Sequence, residues 1–283
     1  MAGVSKAVLI TGCSTGIGRA TAERLAAGGQ TVYATARRIE SIADLEERGC
    51  RTLALDVTDE DSMRAAVEHV EREDGAVGAL VNNAGYSQSG AIEDVPMEQV
   101  RRQFETNVFG LIRMCQLALP GMRRQSHGRI VNVSSMGGRL VFPGGGIYHA
   151  TKHAVEAVSD ALRFEVKGFG VDVSIIEPGL IKTQFGETAV GSIEEATSGD
   201  DGAYAEFNRA VAASTANVYQ GAMSRLAAPP DAVARAVERA ITSRRPRPRY
   251  VVTLGARAML ATRALLPARG WDSMMRTQFP QPR

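Results

Sequence analysis

Two side chains four residues apart, Tyr148 and Lys152, could together perform acid/base chemistry. On a helix this spacing places both side chains on one face. A phenol keeps its proton until about pH 10, and a fixed ammonium beside it favours the phenolate and lowers its pKa. The pair could therefore give a proton to a carbonyl, or take one from an alcohol, near neutral pH. Because helices also carry such pairs by chance, the surrounding elements must indicate whether this pair is catalytic.

A glycine-rich turn near the start of the chain is predicted to bind phosphate. The apolar run Val4–Ile10 predicts a buried strand, Arg19–Ala27 has the apolar spacing of a helix, and Gly12, Gly16 and Gly18 lie between them. Strand, glycine turn and helix form the first half of a dinucleotide-binding unit, in which the helix N-terminus supplies amide donors to a pyrophosphate. The spacing Gly-x-x-x-Gly-x-Gly differs from the common Gly-x-Gly-x-x-Gly fingerprint.

The end of the second predicted strand, Thr31–Ala36, indicates which dinucleotide is bound. A carboxylate at this place bonds the ribose hydroxyls of NAD, whereas an arginine accepts the 2′-phosphate of NADP. Arg37 and Arg38 follow the strand directly. The sequence therefore favours NADP, with Arg37 as the first contact and Arg38 as the second. A solvated arginine pair at the start of the next element is the alternative.

Strands and helices alternate over about 180 residues. Further strands are predicted at Arg51–Leu55, Val77–Val81, Gly128–Val133, Val171–Ile176 and Tyr250–Leu254. Further helices are predicted at Asp59–Asp74, Met97–Arg124, Tyr148–Val166, Asp231–Thr242 and Ala256–Leu266. This pattern predicts an α/β fold of the Rossmann type, a doubly wound parallel sheet of about seven strands with helices on both faces, in a single domain over residues 1–283.

Two segments depart from this alternation. Residues 185–225 are polar and rich in Gly and Ala, and are predicted to form a flap over the site. Residues 255–283 form an apolar, arginine-rich tail. From Arg244 onwards the chain carries nine arginines and one acid, a local charge of +8 against −6 for the remainder. This charge favours a solvated tail, with contact to an anionic membrane surface as the alternative.

The overall composition is that of an ordinary globular protein, with 283 residues, 44% of them hydrophobic and 23% charged. A net charge of +2 gives no reason to expect a nucleic-acid partner. Cys13, Cys50 and Cys115 are scattered, which fits the reducing cytoplasm, where we expect the protein. The first apolar run is too short for a signal-peptide core or a membrane span.

A set of motifs in one order carries a resemblance to a known family. The matching positions are Thr11 to Gly18, Asp56, Asn82 to Gly85, Asn107, Ser135, Tyr148, Lys152, Pro178 and Gly179. In order and spacing, over about residues 4–190, they resemble the short-chain dehydrogenase/reductase family, in its branch with one compact Rossmann domain.

The resemblance implies catalytic roles for four residues. Tyr148 would be the acid/base, and Lys152 would lower its pKa and hold the nicotinamide ribose. Ser135 would polarise the substrate oxygen, and Asn107 would help to hold a water that links Lys152 to solvent. The family's serine lies thirteen residues before its tyrosine, which selects Ser135 over Ser134.

The resemblance also implies which residues bind the cofactor. The glycine turn would cradle the pyrophosphate. Asp56 would bind the adenine edge and Asn83 the adenosine side, while Ile181 and Thr183 would contact the nicotinamide carboxamide. Some members carry a basic residue just before the second glycine, where this chain has Thr15, so the NADP preference depends on the two arginines. The predicted cofactor site comprises Gly12, Ser14, Gly16, Ile17, Gly18, Arg37, Arg38, Asp56, Val57, Asn83, Ala84, Gly85, Tyr148, Lys152, Pro178, Gly179, Ile181 and Thr183.

Three alternatives fit parts of the sequence. The turn also matches the Gly-x-Ser-x-Gly elbow of serine hydrolases, with Ser14 as nucleophile, but it comes too early in the chain and no histidine follows His153. His149 and His153 could share a helix face as zinc ligands, but no third ligand is indicated by spacing, so no metal site is predicted. A non-catalytic dinucleotide sensor could dispense with the acid/base residues. The presence of all four favours an enzyme.

The predicted reaction is reversible hydride transfer between nicotinamide and a carbonyl carbon. Aromatic and methionine side chains of the flap and of residues 136–142 suggest an apolar substrate. The stretch Val32–Arg37 and the arginine-rich tail resemble retinol- and hydroxysteroid-dehydrogenase-like members, which implies a steroid-, retinoid- or lipid-like ketone or aldehyde. The helices Met97–Arg124 and Tyr148–Val166 correspond to the family's dimer surface, so a homodimer or homotetramer is implied.

Overall fold

Seven parallel strands form one central sheet in the computed structural model, which describes residues 3–184, 191, 202–220 and 227–282. The strands are β1 (Val8–Ile10), β2 (Val32–Ala36), β3 (Arg51–Ala54), β4 (Ala79–Asn82), β5 (Gly128–Val133), β6 (Val171–Glu177) and β7 (Arg249–Val251). They lie side by side in the order β3-β2-β1-β4-β5-β6-β7. The strands β2 and β3 are added on one side of β1, and β4 to β7 are added on the other side. A crevice for ligands is expected at this change of order, between the carboxyl ends of β1 and β4.

Helices cover both faces of this sheet. They are α1 (Gly16–Ala27), α2 (Glu60–Asp74), α3 (Met97–Phe104), α4 (Gly110–Arg124), α5 (Gly146–Glu165), α6 (Ala205–Gln220), α7 (Pro230–Thr242), α8 (Leu254–Leu265) and α9 (Ala268–Arg276). Shorter 3₁₀ turns occur at Ile39–Leu45, Met136–Gly138 and Lys167–Phe169. The predicted Rossmann-type α/β fold with seven parallel strands is confirmed.

Alternation along the buried strands divides the core into two layers. On β1, Leu9 packs with α2, α4 and α5, whereas Val8 and Ile10 pack with α1 and α7. Successive side chains of a strand point to opposite faces, so a strand covered on both faces must be apolar throughout. The short apolar runs of this sequence satisfy that requirement.

The two ends of the sheet differ from the predicted boundaries. The first strand begins at Val8 rather than Val4, because Ser5 is held from the side: its hydroxyl donates to the carbonyl oxygen of Ala76 over 2.6 Å. At the other end β7 stops at Val251 rather than Leu254, because the Thr253 hydroxyl accepts from the backbone N–H of Ala256 and caps α8.

The predicted helix Met97–Arg124 is interrupted in its middle. A π turn at Glu105–Phe109 separates α3 from α4. Single π turns inside α-helices occur frequently at functional sites. The interruption therefore marks the place where Asn107 lies.

The predicted flap at residues 185–225 is partly helical. Helix α6 falls inside it and is attached to the body through Asn208, whose side chain accepts from the N–H of Ala91 over 2.9 Å and donates to Asp94 over 2.7 Å. Flap residues 185–190, 192–201 and 221–225, which include Phe185 and Met223, lie outside the described residues.

The arginine-rich tail packs apolar side chains against the body, while Arg257, Arg269 and Arg276 remain exposed. Helices α8 and α9 bury Leu260, Trp271 and Met275 against Leu140, next to the predicted catalytic serine. The sequence prediction did not include α9. The apolar residues of α9 are spaced so that they form one buried stripe, but the arginines between and beside them hide this pattern in the sequence.

Candidate active site

Tyr148 and Lys152 lie in the first two turns of α5, which begins at Gly146. Lys152 is buried, and its Nζ lies 5.8 Å from the centroid of the Tyr148 ring. The same Nζ donates a hydrogen bond to the carbonyl oxygen of Val133 over 2.9 Å. Burial lowers the pKa of Lys152 to about 8, while the Glu156 carboxylate acts in the opposite direction. The lysine is therefore an ammonium at neutral pH, held beside the phenol.

The two serines after β5 differ in their surroundings. Ser135 is half-buried, and its Oγ accepts a hydrogen bond from the backbone N–H of Gly137 over 3.0 Å. Ser134 is buried and lies beside Glu156 in the protein interior. Of the two, Ser135 is the one whose hydroxyl remains accessible to a ligand.

Asn107 lies in the π turn and is 1% exposed. Its Oδ1 accepts from the backbone N–H of Tyr86 over 3.1 Å, and its Nδ2 donates to the carbonyl oxygen of Tyr86 over 2.9 Å and to Thr151 Oγ1 over 3.1 Å. A Cβ added to Gly85 would lie 3.0 Å from Asn107 Oδ1 and 3.7 Å from Lys152 Nζ. The asparagine is therefore fixed next to Lys152, at the end of β4.

These contacts bring the four predicted catalytic residues to one place. Asn107 bonds the residue before Lys152, and Lys152 bonds Val133, which precedes Ser135 by two residues. Tyr148 lies one helical turn before Lys152. The cluster occupies the carboxyl ends of β4 and β5, beside the crevice expected for this topology.

The glycines of the turn lie where a side chain would strain the backbone or clash with a neighbouring atom. Gly12 and Gly16 have φ values of +73° and +59°, in the left-handed region that favours glycine. A Cβ on Gly18 would lie 2.2 Å from the carbonyl oxygen of Gly12. The N-cap residue Thr15 makes no side-chain capping bond within the described part of the chain. The first N–H groups of α1, including that of Ile17, are therefore available to an anion, and the turn fits a pyrophosphate.

Asn83 and Thr11 hold this turn against the end of β4. The Nδ2 of Asn83 donates to the carbonyl oxygens of Thr11 and Gly12, over 2.9 and 3.0 Å. The Thr11 Oγ1 accepts from the backbone N–H groups of Asn83 and Ala84, over 3.0 Å each. The structure thus gives Asn83 a role in shaping the turn that sequence reasoning missed, and its contact with adenosine stays a prediction.

The predicted adenosine end contains two exposed arginines and an oriented carboxylate. Arg37 and Arg38 follow β2 and are exposed, and neither guanidinium has an ion-pair partner among residues 3–184, 202–220 and 227–282. Asp56 Oδ1 accepts from the N–H and the hydroxyl of Thr58, over 2.9 and 2.8 Å, and Val57 beside it is buried. One face of the Asp56 carboxylate is therefore fixed, while both arginines can receive an anion.

The segment after β6 lies against the glycine turn. A Cβ on Gly16 would lie 3.2 Å from Thr183 Cγ2, and Ile181 pairs with Ala228 as an isolated bridge. Gly179, which follows Pro178, packs so closely on α8 that a Cβ would lie 2.2 Å from Thr253 Oγ1. An open cavity of about 390 Å³ lies between the glycine turn and residues 182–184. Its lining includes Ser14, Thr15, Gly16, Lys182 and Thr183.

The two histidines considered as zinc ligands form hydrogen bonds with the backbone instead. His149 Nδ1 lies 3.1 Å from the carbonyl oxygen of Gly137, and His153 Nδ1 lies 2.9 Å from that of His149. Within the described residues, no group of three or more His, Cys, Asp or Glu side chains could hold a metal ion.

A buried cluster of charges behind Lys152 was not predicted. Glu156 and Glu177 are both buried, and Arg249 Nε lies 3.2 Å from an oxygen of the first and 3.1 Å from an oxygen of the second. Arg139 reaches Glu177 over 3.3 Å. Glutamate four residues after Lys152 was the available signal, because that spacing places it on the lysine's helix face.

Comparison with known proteins identifies the family of this chain. The family model described as short chain dehydrogenase matches residues 6–192. The probable short-chain type dehydrogenase/reductase VdlC of Helicobacter pylori is 34% identical over 268 residues, which are 95% of this chain and 96% of the relative. An NADPH-dependent 3-dehydrocapnine reductase of Ornithobacterium rhinotracheale is 34% identical over 276 residues, 94% of each chain.

A solved structure with bound cofactor is also similar. The closed form of a serine dehydrogenase complexed with NADP⁺ superposes with a TM-score of 0.74 at 27% sequence identity, covering 87% of this chain and 93% of the other. The family match, the full-length relative and the parallel sheet agree with one another. The chain belongs to the short-chain dehydrogenase/reductase family and is an oxidoreductase.

Proposed function

We propose that this protein is an NADP(H)-dependent oxidoreductase that interconverts a carbonyl group and an alcohol. The observation that carries the proposal is the buried Lys152 ammonium, 5.8 Å from the Tyr148 ring and fixed by Val133. This arrangement favours a phenol that exchanges its proton with a substrate oxygen. The same residues argue against a non-catalytic sensor.

Each residue of the cluster has a proposed task. Tyr148 gives its proton to the carbonyl oxygen during reduction and takes it back during oxidation. Ser135 donates a hydrogen bond to the same oxygen as negative charge develops there. Lys152 favours the phenolate left on Tyr148. Asn107, whose amide donates to the Thr151 hydroxyl, would help to hold a water that links Lys152 to solvent.

The cofactor would supply the hydride to the carbonyl carbon when bound. The glycine turn and the N-terminus of α1 would hold its pyrophosphate, Asp56 its adenine edge, and Ile181 and Thr183 its nicotinamide end. Since Ser14 then belongs to the phosphate turn, this assignment disfavours the serine hydrolase alternative. A panel of ketones, aldehydes and alcohols, assayed in both directions by the absorbance of NADPH, tests the proposal. Failure of every compound with this cofactor and with NADH would reject it.

NADP preference is proposed to depend on Arg37. Its exposed guanidinium can pair with the 2′-phosphate, and the NADPH-dependent relative supports the assignment. We expect Arg37→Asp to lower kcat/KM with NADPH by about 10- to 100-fold relative to NADH, since a charge-assisted contact of about 1.5–3 kcal/mol is replaced by repulsion. Arg48→Asp, at another exposed arginine, serves as the control. An unchanged ratio of the two kcat/KM values in the Arg37 variant would refute the assignment.

An apolar ketone or aldehyde, of lipid, steroid or retinoid type, is the proposed substrate. Met136 and Phe142, on the loop that follows Ser135, pack against the apolar cluster that contains Leu140 and Trp271. The relative named as an NADPH-dependent 3-dehydrocapnine reductase supports a reductive direction. Better kcat/KM for small polar aldehydes or sugars than for apolar ketones would count against this substrate class.

A homodimer or homotetramer is proposed from two exposed aromatic side chains. Phe109 is 51% exposed at the start of α4, and Phe164 is 88% exposed near the end of α5. Large exposed side chains on adjacent helices are common in subunit interfaces. A monomeric mass by light scattering at micromolar concentration would contradict the proposal.

The tail is proposed to serve the site rather than a membrane. None of the helices in the described part of the chain is long and apolar enough to span a bilayer. The apolar side chains of α8 and α9 that pack on Leu140 support a folded role. Sedimentation of the protein with anionic but not neutral vesicles would reverse this conclusion. The three free, buried cysteines support a reducing compartment such as the cytoplasm, which cell fractionation can test.

A further inference from the structure

The loop that joins Ser135 to Tyr148 encloses a buried imidazole. Residues 136–145 leave the end of β5 and return to the start of α5, so they set the relative positions of Ser135 and Tyr148. His149 is 6% exposed, and its Nδ1 lies 3.1 Å from the carbonyl oxygen of Gly137. Its ring centroid lies 5.5 Å from that of Tyr148. One side chain thus contacts both the serine's turn and the tyrosine.

The protonation state of this imidazole is fixed by its surroundings. A carbonyl oxygen can only accept a hydrogen bond, so Nδ1 carries the proton and donates it to Gly137. Burial lowers the pKa of His149 to about 4, although the hydrogen bond to Gly137 opposes this effect. The neighbouring His153 on α5 also disfavours the charged form. At neutral pH the ring is therefore neutral and serves as a fixed donor.

Both ends of the loop close on the ring. A Cβ added to Gly137 would lie 2.3 Å from His149 Nδ1, and a Cβ added to Gly145 would lie 2.7 Å from His149 Nε2. Real Cβ atoms do not approach other atoms so closely, so both positions require glycine while the imidazole is there. The middle of the loop contacts the same ring through Phe142, at 5.9 Å between ring centroids.

The C-terminal helices hold the opposite side of the loop. Trp271 of α9 donates from Nε1 to the carbonyl oxygen of Val141 over 3.2 Å. Its ring lies 6.1 Å from that of Phe142, and Leu140 packs in the same cluster. The loop is therefore enclosed between His149 on α5 and Trp271 on α9.

We propose that His149 is a positioning residue that sets the geometry between the Ser135 hydroxyl and the Tyr148 phenol, with Trp271 supporting the loop from outside. The inference rests on the proposed function, because it assigns both groups to one substrate oxygen. Displacement of a catalytic group by about 1 Å can cost about 100-fold in rate, so a ring that fixes the loop acts on kcat. The glycine turn is held by Asn83, through bonds to the carbonyl oxygens of Thr11 and Gly12, so we expect a change in this loop to leave cofactor binding intact.

Three variants test the inference. His149→Phe keeps an aromatic ring and removes the donor, whereas His149→Asn keeps a donor close to the position of Nδ1. His153→Phe changes an exposed histidine one turn further along α5 and is the matched control. We expect His149→Phe to lower kcat by about 10- to 100-fold with the Kd for NADPH unchanged, His149→Asn to recover most of the loss, and His153→Phe to match the wild type.

A wild-type kcat in His149→Phe, or equal losses in His149→Phe and His149→Asn, would overturn the inference. Hydrogen exchange of the amides of residues 137–145, measured without substrate, is expected to be faster in His149→Phe than in the wild type. Unchanged exchange would overturn the contact that the inference depends on. A wild-type protein inactive towards the whole carbonyl panel would overturn the proposed function instead, and the exchange measurement distinguishes the two failures.

Discussion

Replacing Tyr148 with phenylalanine is expected to lower kcat/KM for carbonyl reduction by about 10³-fold, within the range that general acid catalysis contributes. The change removes one oxygen and keeps the ring that Lys152 and His149 contact. Without the phenol, negative charge on the substrate oxygen is met by Ser135 alone. The loss should fall on kcat, because the change keeps the glycine turn, which is predicted to hold the pyrophosphate, and the aromatic ring beside Lys152.

The measurement is steady-state reduction of the best substrate from the panel, with NADPH affinity followed in parallel by fluorescence. Tyr250→Phe is a matched control, since its hydroxyl accepts from the backbone N–H of Arg247 over 3.0 Å, away from the cluster. Activity of Tyr148→Phe within tenfold of the wild type would show that another group supplies the proton.

Replacing Arg249 with methionine is expected to destabilise the protein by about 3–5 kcal/mol, the cost typical of leaving buried charges without their partner. The Glu177 side chain is 0% exposed and that of Glu156 is 8% exposed. Arg249 also binds Asp160 on the surface side of the cluster. Arg139 forms an ion pair with Glu177 but not with Glu156. Among the described residues, Arg249 is therefore the one arginine or lysine that forms an ion pair with Glu156.

Chemical unfolding by urea measures this effect, and Arg245→Met, at an exposed arginine of the same segment, should change stability by less than about 0.5 kcal/mol.

Burial raises the pKa of Glu156, so the folded protein holds the proton of this carboxyl group more readily than the unfolded chain does. Stability from such a group is lost as the pH rises through its folded pKa. Arg249 opposes this rise in pKa, so its removal raises the pKa of Glu156 further, and the deficit of Arg249→Met should be larger at pH 8 than at pH 5. Equal stability of this variant and the wild type at pH 8 would show that water reaches the carboxylates.

Local spacing was sufficient to predict much of the fold and of the candidate site. The central strands are short apolar runs that end in glycine or small polar residues, so their positions could be read without knowing their neighbours. The Tyr148 and Lys152 pair could be placed on one helix face for the same reason. The family resemblance then supplied Ser135 and Asn107, which no local pattern distinguishes.

Features that depend on distant partners could not be predicted. The π turn at Asn107 is stabilised by the backbone of Tyr86, which lies 21 residues away. The buried carboxylates require Arg249, which lies 93 residues after Glu156. His149 could be recognised as a titratable group near Tyr148, but its partner Gly137 belongs to another element. In each case, nothing in the sequence around one residue indicates which distant residue it contacts.

The π turn at Glu105–Phe109 also constrains how this sequence can change. A π turn closes its ring with one residue more than an α-helix uses. Deleting a residue there would restore a continuous α-helix and leave the faces of α3 and α4 almost unchanged, because the π turn takes up its extra residue within one turn. The Asn107 amide would then lose the wider turn that brings it to the backbone of Tyr86. Substitutions can accumulate along Met97–Arg124, but a change in its length would break the register between Asn107 and the core.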